Sequence, residues 1–167
     1  MTNTGDLIRF SSSRFGELEI PESKVINVPD GIIGFPDYTR YALLDPSGGR
    51  SLFLWLQAVD EPNLAFIITD PLVFLPEYRI HGSEPDLQRL EVEKKAPPAL
   101  FVIVAVPPND PDRVSANLAA PLLYFEADNT LHQIVLETEE WPLRHYLIPE
   151  GSRSHAGGDL RDSGEVR

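Results

Sequence analysis

Residues 52–71 read LFLWLQAVDEPNLAFIITDP, and this stretch decides the fold. Its first half, 52–58, is apolar apart from Gln57, and its second, 64–69, is rich in β-branched and aromatic residues. Between them Val59-Asp60-Glu61-Pro62-Asn63 is a cluster of turn formers, and Asp70-Pro71 closes the unit. Each run is too short for a helix and the punctuation is dense, so the pattern predicts a β-hairpin with a five-residue connection. Trp55 and Phe66 are the largest apolar groups of the two strands, which places them at the centre of the expected core, with Phe101 beside them.

Working outward toward the C-terminus, residues 72–75 and 76–80 are apolar but broken by proline, the mark of irregular or edge structure. Ser83-Glu84-Pro85-Asp86 has the form of a capping box, and Leu87 and Leu90 give a narrow apolar stripe, so a short helix is predicted over 84–91. Proline pairs at 97–98 and 107–108 fence the apolar run 99–106, which reads as a strand buried on both faces. Residues 113–118 alternate, with Val114, Ala116 and Leu118 inward. A further hairpin joins 122–125 to 131–136 through Asp128-Asn129, and 141–146 is a last extended piece.

Toward the N-terminus, strands are expected at 7–10, 15–20, 24–28 and 40–44, with Ser11-Ser12-Ser13 as a turn. Gly31-Ile32-Ile33-Gly34-Phe35-Pro36 reads as a rigid bend. It is not a phosphate loop, because the lysine and the serine or threonine of that motif are missing. The whole predicts a mostly β protein: an antiparallel, closed or semi-open β-barrel built from sequential hairpins, with one or two short helices. One domain over 6–149 is expected, with a loose N-terminus at 1–5 and a disordered polar tail at 150–167.

Sixteen prolines against eleven glycines in 167 residues favour short elements joined by turns. Cysteine is absent, which excludes disulfides, thiolate metal sites and a cysteine nucleophile. The N-terminus lacks the pattern of a secretory signal, and no apolar run is long enough to span a membrane, so a soluble cytoplasmic protein is expected. The net charge of -12 disfavours nucleic acid and anionic membranes and attracts a basic partner. The same acidity also serves solubility alone.

Catalytic signals are weak. The histidines at 81, 132, 145 and 155 do not stand at zinc-site spacings, and no nucleophile elbow occurs. The adjacent pairs Asp60-Glu61 and Glu139-Glu140 face opposite sides of any strand, so neither pair converges on one substrate. Carboxylates brought together from distant strands stay open as a hydrolase alternative acting on a carbohydrate or nucleotide. Aromatic residues are not interleaved with lysine or arginine as on single-strand nucleic-acid platforms.

Several segments together resemble the FliW family of flagellar assembly factors. They are Phe15-Gly16-Glu17, the bend at 29–35, Trp55-Leu56-Gln57, Asp70-Pro71 with Pro76-Glu77-Tyr78, Asn117-Leu118 with Ala120-Pro121, and Trp141-Pro142-Leu143-Arg144-His145. Three positions depart from the family pattern: Ile33 where proline is usual, Val28 where an aromatic is common, and Trp141 where tyrosine is usual. The resemblance implies a cytoplasmic protein without catalytic activity or cofactor. Its partners would be flagellin and CsrA, an RNA-binding translational repressor with a basic face. Binding CsrA would lift the silencing of flagellin messenger RNA, and accumulating flagellin would withdraw the factor and restore it. The expected partner-binding residues are an acidic rim near the central hairpin and the short helix: Asp60, Glu61, Glu77, Tyr78, Glu84 and Asp86. Each has a plainer alternative as a solvated loop acid or, for Tyr78, a packing residue. A structural interaction module within a larger assembly is the remaining reading.

Overall fold

A computed structural model describes residues 6–148, so the expected loose N-terminus and polar tail lie outside the described residues. The central hairpin forms as predicted: β5 (Phe53–Ala58) and β6 (Ala65–Thr69) run antiparallel with Leu56 opposite Phe66 and Trp55 opposite Ile67. On one side β4 (Arg40–Leu44) pairs with β5, and on the other β7 (Ala99–Ala105) pairs with β6. The edge of β7 away from β6 is divided. Its first residues pair with β9 (Leu122–Phe125) and its last with β8 (Ser115–Ala116).

From β9 the chain turns into β10 (Thr130–Gln133), which meets β3 (Ile26–Asn27) at Thr130 and Asn27, and β3 returns to β4. This closes a ring of β3, β4, β5, β6, β7, β9 and β10. The β3–β10 contact is parallel, a departure from the fully antiparallel expectation. Closure leaves the ring without a free edge.

Alternation along the strands sends Ile26, Tyr41, Leu56, Ala58, Ile68, Leu122 and Leu131 into the barrel, where all are buried. Each large apolar side chain so buried contributes about 1.5–3 kcal/mol against the entropy of ordering the chain. The outer face of the wall is also covered, in three places. The hairpin of β1 (Leu7–Ser12) and β2 (Gly16–Pro21) lays Phe10 on Ala42 and Val59. The loop around Tyr78 and the C-terminal segment cover Val102, Val104 and Ala116. Helix α2 (Pro85–Lys94) sets Leu87 and Leu90 on Leu123 and Phe125.

That double covering corrects the expected core. Trp55 faces outward and is half-buried; Phe15 meets its ring edge-on at 5.6 Å and Arg14 lies 4.4 Å from its centroid. Phe66 and Phe101 are half-buried and pack against the interior cluster, whose centre is Leu56, Ile68 and Tyr41.

Local departures have local causes. Ser11 and Ser12 continue β1, and the turn falls after them because Ser12 Oγ accepts the backbone N–H groups of Arg14 and Phe15. Residues 72–75 hold a one-turn helix, α1 (Pro71–Phe74), with Asp70 as its N-cap accepting from Leu72 N at 2.9 Å and Pro71 in its first turn. Helix α2 starts after Glu84 rather than at a Ser83 cap and runs to Lys94, ending at Lys95 with φ 61°. Only Ser115–Ala116 of 113–118 is strand, yet Val114, Ala116 and Leu118 are buried as their alternation predicts. Strands expected over 24–28, 131–136 and 141–146 shrink to β3, β10 and β11 (His145–Tyr146). No helix among the described residues is long and apolar enough to cross a membrane.

Candidate partner-binding surface

The β5–β6 turn carries Asp60 and Glu61. Arg40 donates to both Asp60 oxygens, Nε to Oδ2 at 3.1 Å and Nη2 to Oδ1 at 2.7 Å, with both side chains about half exposed. Such a fork fixes orientation more than it stabilises the fold. Glu61 accepts the backbone N–H of Asn63 at 3.0 Å. Beneath them Gln57 is 0% exposed. Its amide nitrogen faces the carbonyls of Ala58, Glu61, Pro62 and Leu64 at 3.1–3.3 Å, and its Oε1 accepts from Ser12 Oγ at 2.8 Å. Ser13 Oγ is bonded to Asn63 Oδ1, tying the same turn to the β1–β2 hairpin. A shallow cleft of about 410 Å³ lies here, lined by Ser13, Arg14, Gln57, Pro62, Asn63 and Ala65.

The other expected residues stand beyond the far end of β6. Glu77 is exposed, and Asp86 lies 3.6 Å from Arg89 on the open side of α2. Tyr78 is 2% exposed; its hydroxyl donates to the Leu118 carbonyl at 2.8 Å, Trp141 meets its ring edge-on, and burial pushes its phenol well up from the ordinary value. Glu84 is 5% exposed and its carboxylate accepts the backbone N–H of Glu137. Of the six, Asp60, Glu61, Glu77 and Asp86 present carboxylates to solvent in two groups separated by the length of β6. Tyr78 and Glu84 instead tie loops together.

Sequence reasoning missed Gln57 as a structural centre, although it is the lone polar interruption of an apolar strand, which is the available signal. It also missed a cleft of about 650 Å³ between the end of α2 and the β9–β10 turn, lined by Glu93, Lys94, Pro97, Phe125, Glu126 and Asp128. There Lys94 Nζ donates to Asp128 Oδ2 at 2.7 Å, and that bond holds the Asp128 carboxyl below the usual carboxylate range, with Thr130 assisting. A hydrolase acid needs a carboxyl shifted upward; Asp128 is shifted the other way. No three His, Asp or Glu side chains among the described residues stand close enough to share a metal ion.

The architecture is that of a small closed β-barrel whose interior is filled by its own side chains and whose acidic groups ring the outside. Comparison with known proteins narrows this class. Residues 9–147 match the family described as FliW protein. The flagellar assembly factor FliW of Alkaliphilus metalliredigens (strain QYMF) is 37% identical over 139 residues, covering 83% of this chain and 85% of that protein. The corresponding factor of Treponema denticola is 32% identical over 143 residues, covering 86% and 95%. A crystal structure of the flagellar assembly factor FliW superposes with a TM-score of 0.74 at 28% identity, covering 86% of this chain and 99% of that one. The chain belongs to the FliW family.

Proposed function

We propose that this chain is a non-enzymatic flagellar assembly factor that works in the cytoplasm through competing protein contacts. It binds flagellin and, in alternation, a CsrA-type translational repressor, so that free flagellin sets how much repressor is left to silence flagellin translation. The observation that carries this reading is the match along 9–147 to a family whose relatives are named flagellar assembly factors. The net charge of -12 supports the repressor half, since an acidic surface speeds encounter with a basic partner and disfavours wrong ones.

The test is direct mixing of the purified chain with flagellin and with a CsrA-type repressor at low salt. A complex with each is expected, and flagellin should displace the repressor; no complex with either rejects the proposal. Reversing Asp60 and Glu61 to lysine refines it. The change removes two acids and releases Arg40 from its fork, so repressor association should slow and its salt dependence flatten.

A further inference from the structure

Asp30 is the one aspartate or asparagine in the sequence that is followed by glycine. A main-chain nitrogen can attack the side-chain carboxyl carbon of the residue before it, and glycine, lacking a Cβ, lets the two approach. Gly31 N gives up its proton, the Asp30 carboxyl loses its hydroxyl, the two leave as water, and a five-membered succinimide forms. Water then opens the ring at either carbonyl. One product is the original aspartate. The other is isoaspartate, whose main chain runs through the former side chain and is one carbon longer.

The Asp30 side chain is 89% exposed, with His132 Nδ1 4.0 Å from its Oδ2, so both the carboxyl and solvent water are available. The nucleophile is held back. Gly31 donates its N–H to the Val28 carbonyl at 2.9 Å. Its φ is +71°, and it sits so tightly against Pro36 that an added Cβ would lie 2.6 Å from Pro36 Cα. Ring closure has to turn Gly31 N away from Val28 and toward Asp30 Cγ, and there is no room for that turn while Pro36 is in place. The segment is pinned on both sides as well. Val28, fully buried, donates its N–H to Thr39 at 2.8 Å; Ile32 is buried in the barrel; Ile33 donates to Gln133 Oε1 at 2.8 Å. Reaction therefore requires the bend to open, a local event that needs less free energy than global unfolding. The product does not fit back. One extra chain atom between the anchored Val28 and Ile32 leaves no register in which both are seated, and a close-packed interior does not absorb such a shift.

We propose that Asp30 is a modification site gated by the bend at 31–36: it isomerises to isoaspartate only when the bend opens, and the product loosens the β3–β10 seam. A transient opening is thereby converted into a permanent chemical mark. The site does not depend on the flagellar reading.

The experiment ages the full chain at neutral pH in heavy-oxygen water, which labels each ring opening. Isoaspartate is counted with an isoaspartyl methyltransferase and radiolabelled S-adenosylmethionine, and its position is read by mass spectrometry of peptides. Label should gather at Asp30, at least about ten-fold more slowly in the folded chain than in urea. Gln133→Ala frees Ile33, so the folded-state rate should rise about five-fold, with amide exchange at Gly31 rising in step. Low urea on the unsubstituted chain opens the bend by another route, should raise both rates together, and replaces the variant should that one fail to fold. Asp30→Glu keeps the charge but needs a six-membered ring, so the signal should vanish. The isomerised fraction should unfold at lower urea than the fresh chain. Equal rates in the folded and the urea-unfolded chain overturn the proposal. So does isoaspartate that accumulates first at another residue, or faster exchange at Gly31 with an unchanged rate at Asp30. An isomerised chain with the fresh chain's urea midpoint overturns the effect on the seam.

Discussion

At the β5–β6 turn the fully buried Gln57 has partners on both ends of its amide, four carbonyls on one side and Ser12 on the other. At the seam where β3 meets β10 the barrel is closed by one parallel pairing, and two nearby polar atoms, Tyr41 Oη and His132 Nε2, are buried without a hydrogen-bond partner among the described residues. The hairpin joins neighbours in sequence. The seam joins residues far apart: Asn129 Nδ2 donates to the Val25 carbonyl across 104 positions. The turn itself supplies the four carbonyls, and one distant residue, Ser12, 45 positions away, completes the amide. A long-range closure must first meet the loop-closure cost and the geometry of the ring, and its polar groups take what that geometry leaves.

The bend at 31–36 locks the seam and should break hardest. Gly31 has φ +71°, and a Cβ there would lie 2.6 Å from Pro36 Cα, a backbone atom that cannot swing aside. Gly34 has φ +93° but open space around its added Cβ. Gly31→Ala should therefore cost about 4 kcal/mol, backbone strain and overpacking together, and Gly34→Ala only about 1. Urea unfolding of the two variants separates clash from strain; equal losses would show that the bend is free to shift. At the hairpin, Gln57→Leu keeps the volume but strands the Ser12 hydroxyl and turn carbonyls. It should cost about 3 kcal/mol by the same measurement. A loss under about 1 kcal/mol would mean that water replaces the amide, and the contrast between hairpin and seam would fall.

How legible each region was in the sequence follows the same division. Turn formers between two β-branched runs report on their own neighbours, so the hairpin, the bend and the exposed acids Asp60 and Glu77 could be read directly. Which face Trp55 takes could not, because both faces of β5 are covered and alternation loses its meaning; the residues beside it, Phe15 and Arg14, come from another hairpin. Glu84 looked like part of a capping box until the Glu137 amide, 53 positions on, claimed its carboxylate. Tyr78 is a partner-binding candidate in the sequence with packing as its plainer alternative, and its hydroxyl is taken by a carbonyl 40 positions away. Nothing short-range encodes such partners, and nothing marks Asn27 and Thr130 as the residues that meet.

The seam histidine, whose Nε2 is buried without a hydrogen bond while its Nδ1 lies 4.0 Å from Asp30 Oδ2, gives a smaller, pH-dependent effect. Burial, then the nearby Lys94 charge, pulls the His132 pKa below 6.5, with Asp30 and Asp128 only partly opposing them. The unfolded chain then binds the proton more readily than the folded one. Stability from this group is complete above pH 6.5 and is lost as the pH falls below it, by at most about 1.4 kcal/mol per pH unit. His132→Phe preserves the edge contact with Phe125 and should flatten the decline between neutral and acidic pH in urea midpoints. An unchanged slope would place the sensitivity in other groups.

The last test concerns Tyr41, whose ring is 0% exposed and tilted against Phe66 at 6.2 Å while its hydroxyl goes unpaired. Desolvating a hydroxyl without a bond is unfavourable, so Tyr41→Phe should be neutral or stabilise the fold by about 1 kcal/mol at neutral pH. Burial also pushes the Tyr41 phenol up to about 12 from 10.0, with Tyr38 adding to the shift. The folded chain therefore keeps a proton that the unfolded chain releases, and the unsubstituted protein should lose stability as the pH rises from 10 toward about 12. The phenylalanine variant lacks that contribution, so its advantage should widen across the same interval in parallel denaturation series. A variant less stable by more than about 1 kcal/mol would instead mean that a buried water holds the hydroxyl. The closure seam would then be as well satisfied as the hairpin, reached through solvent rather than through side chains.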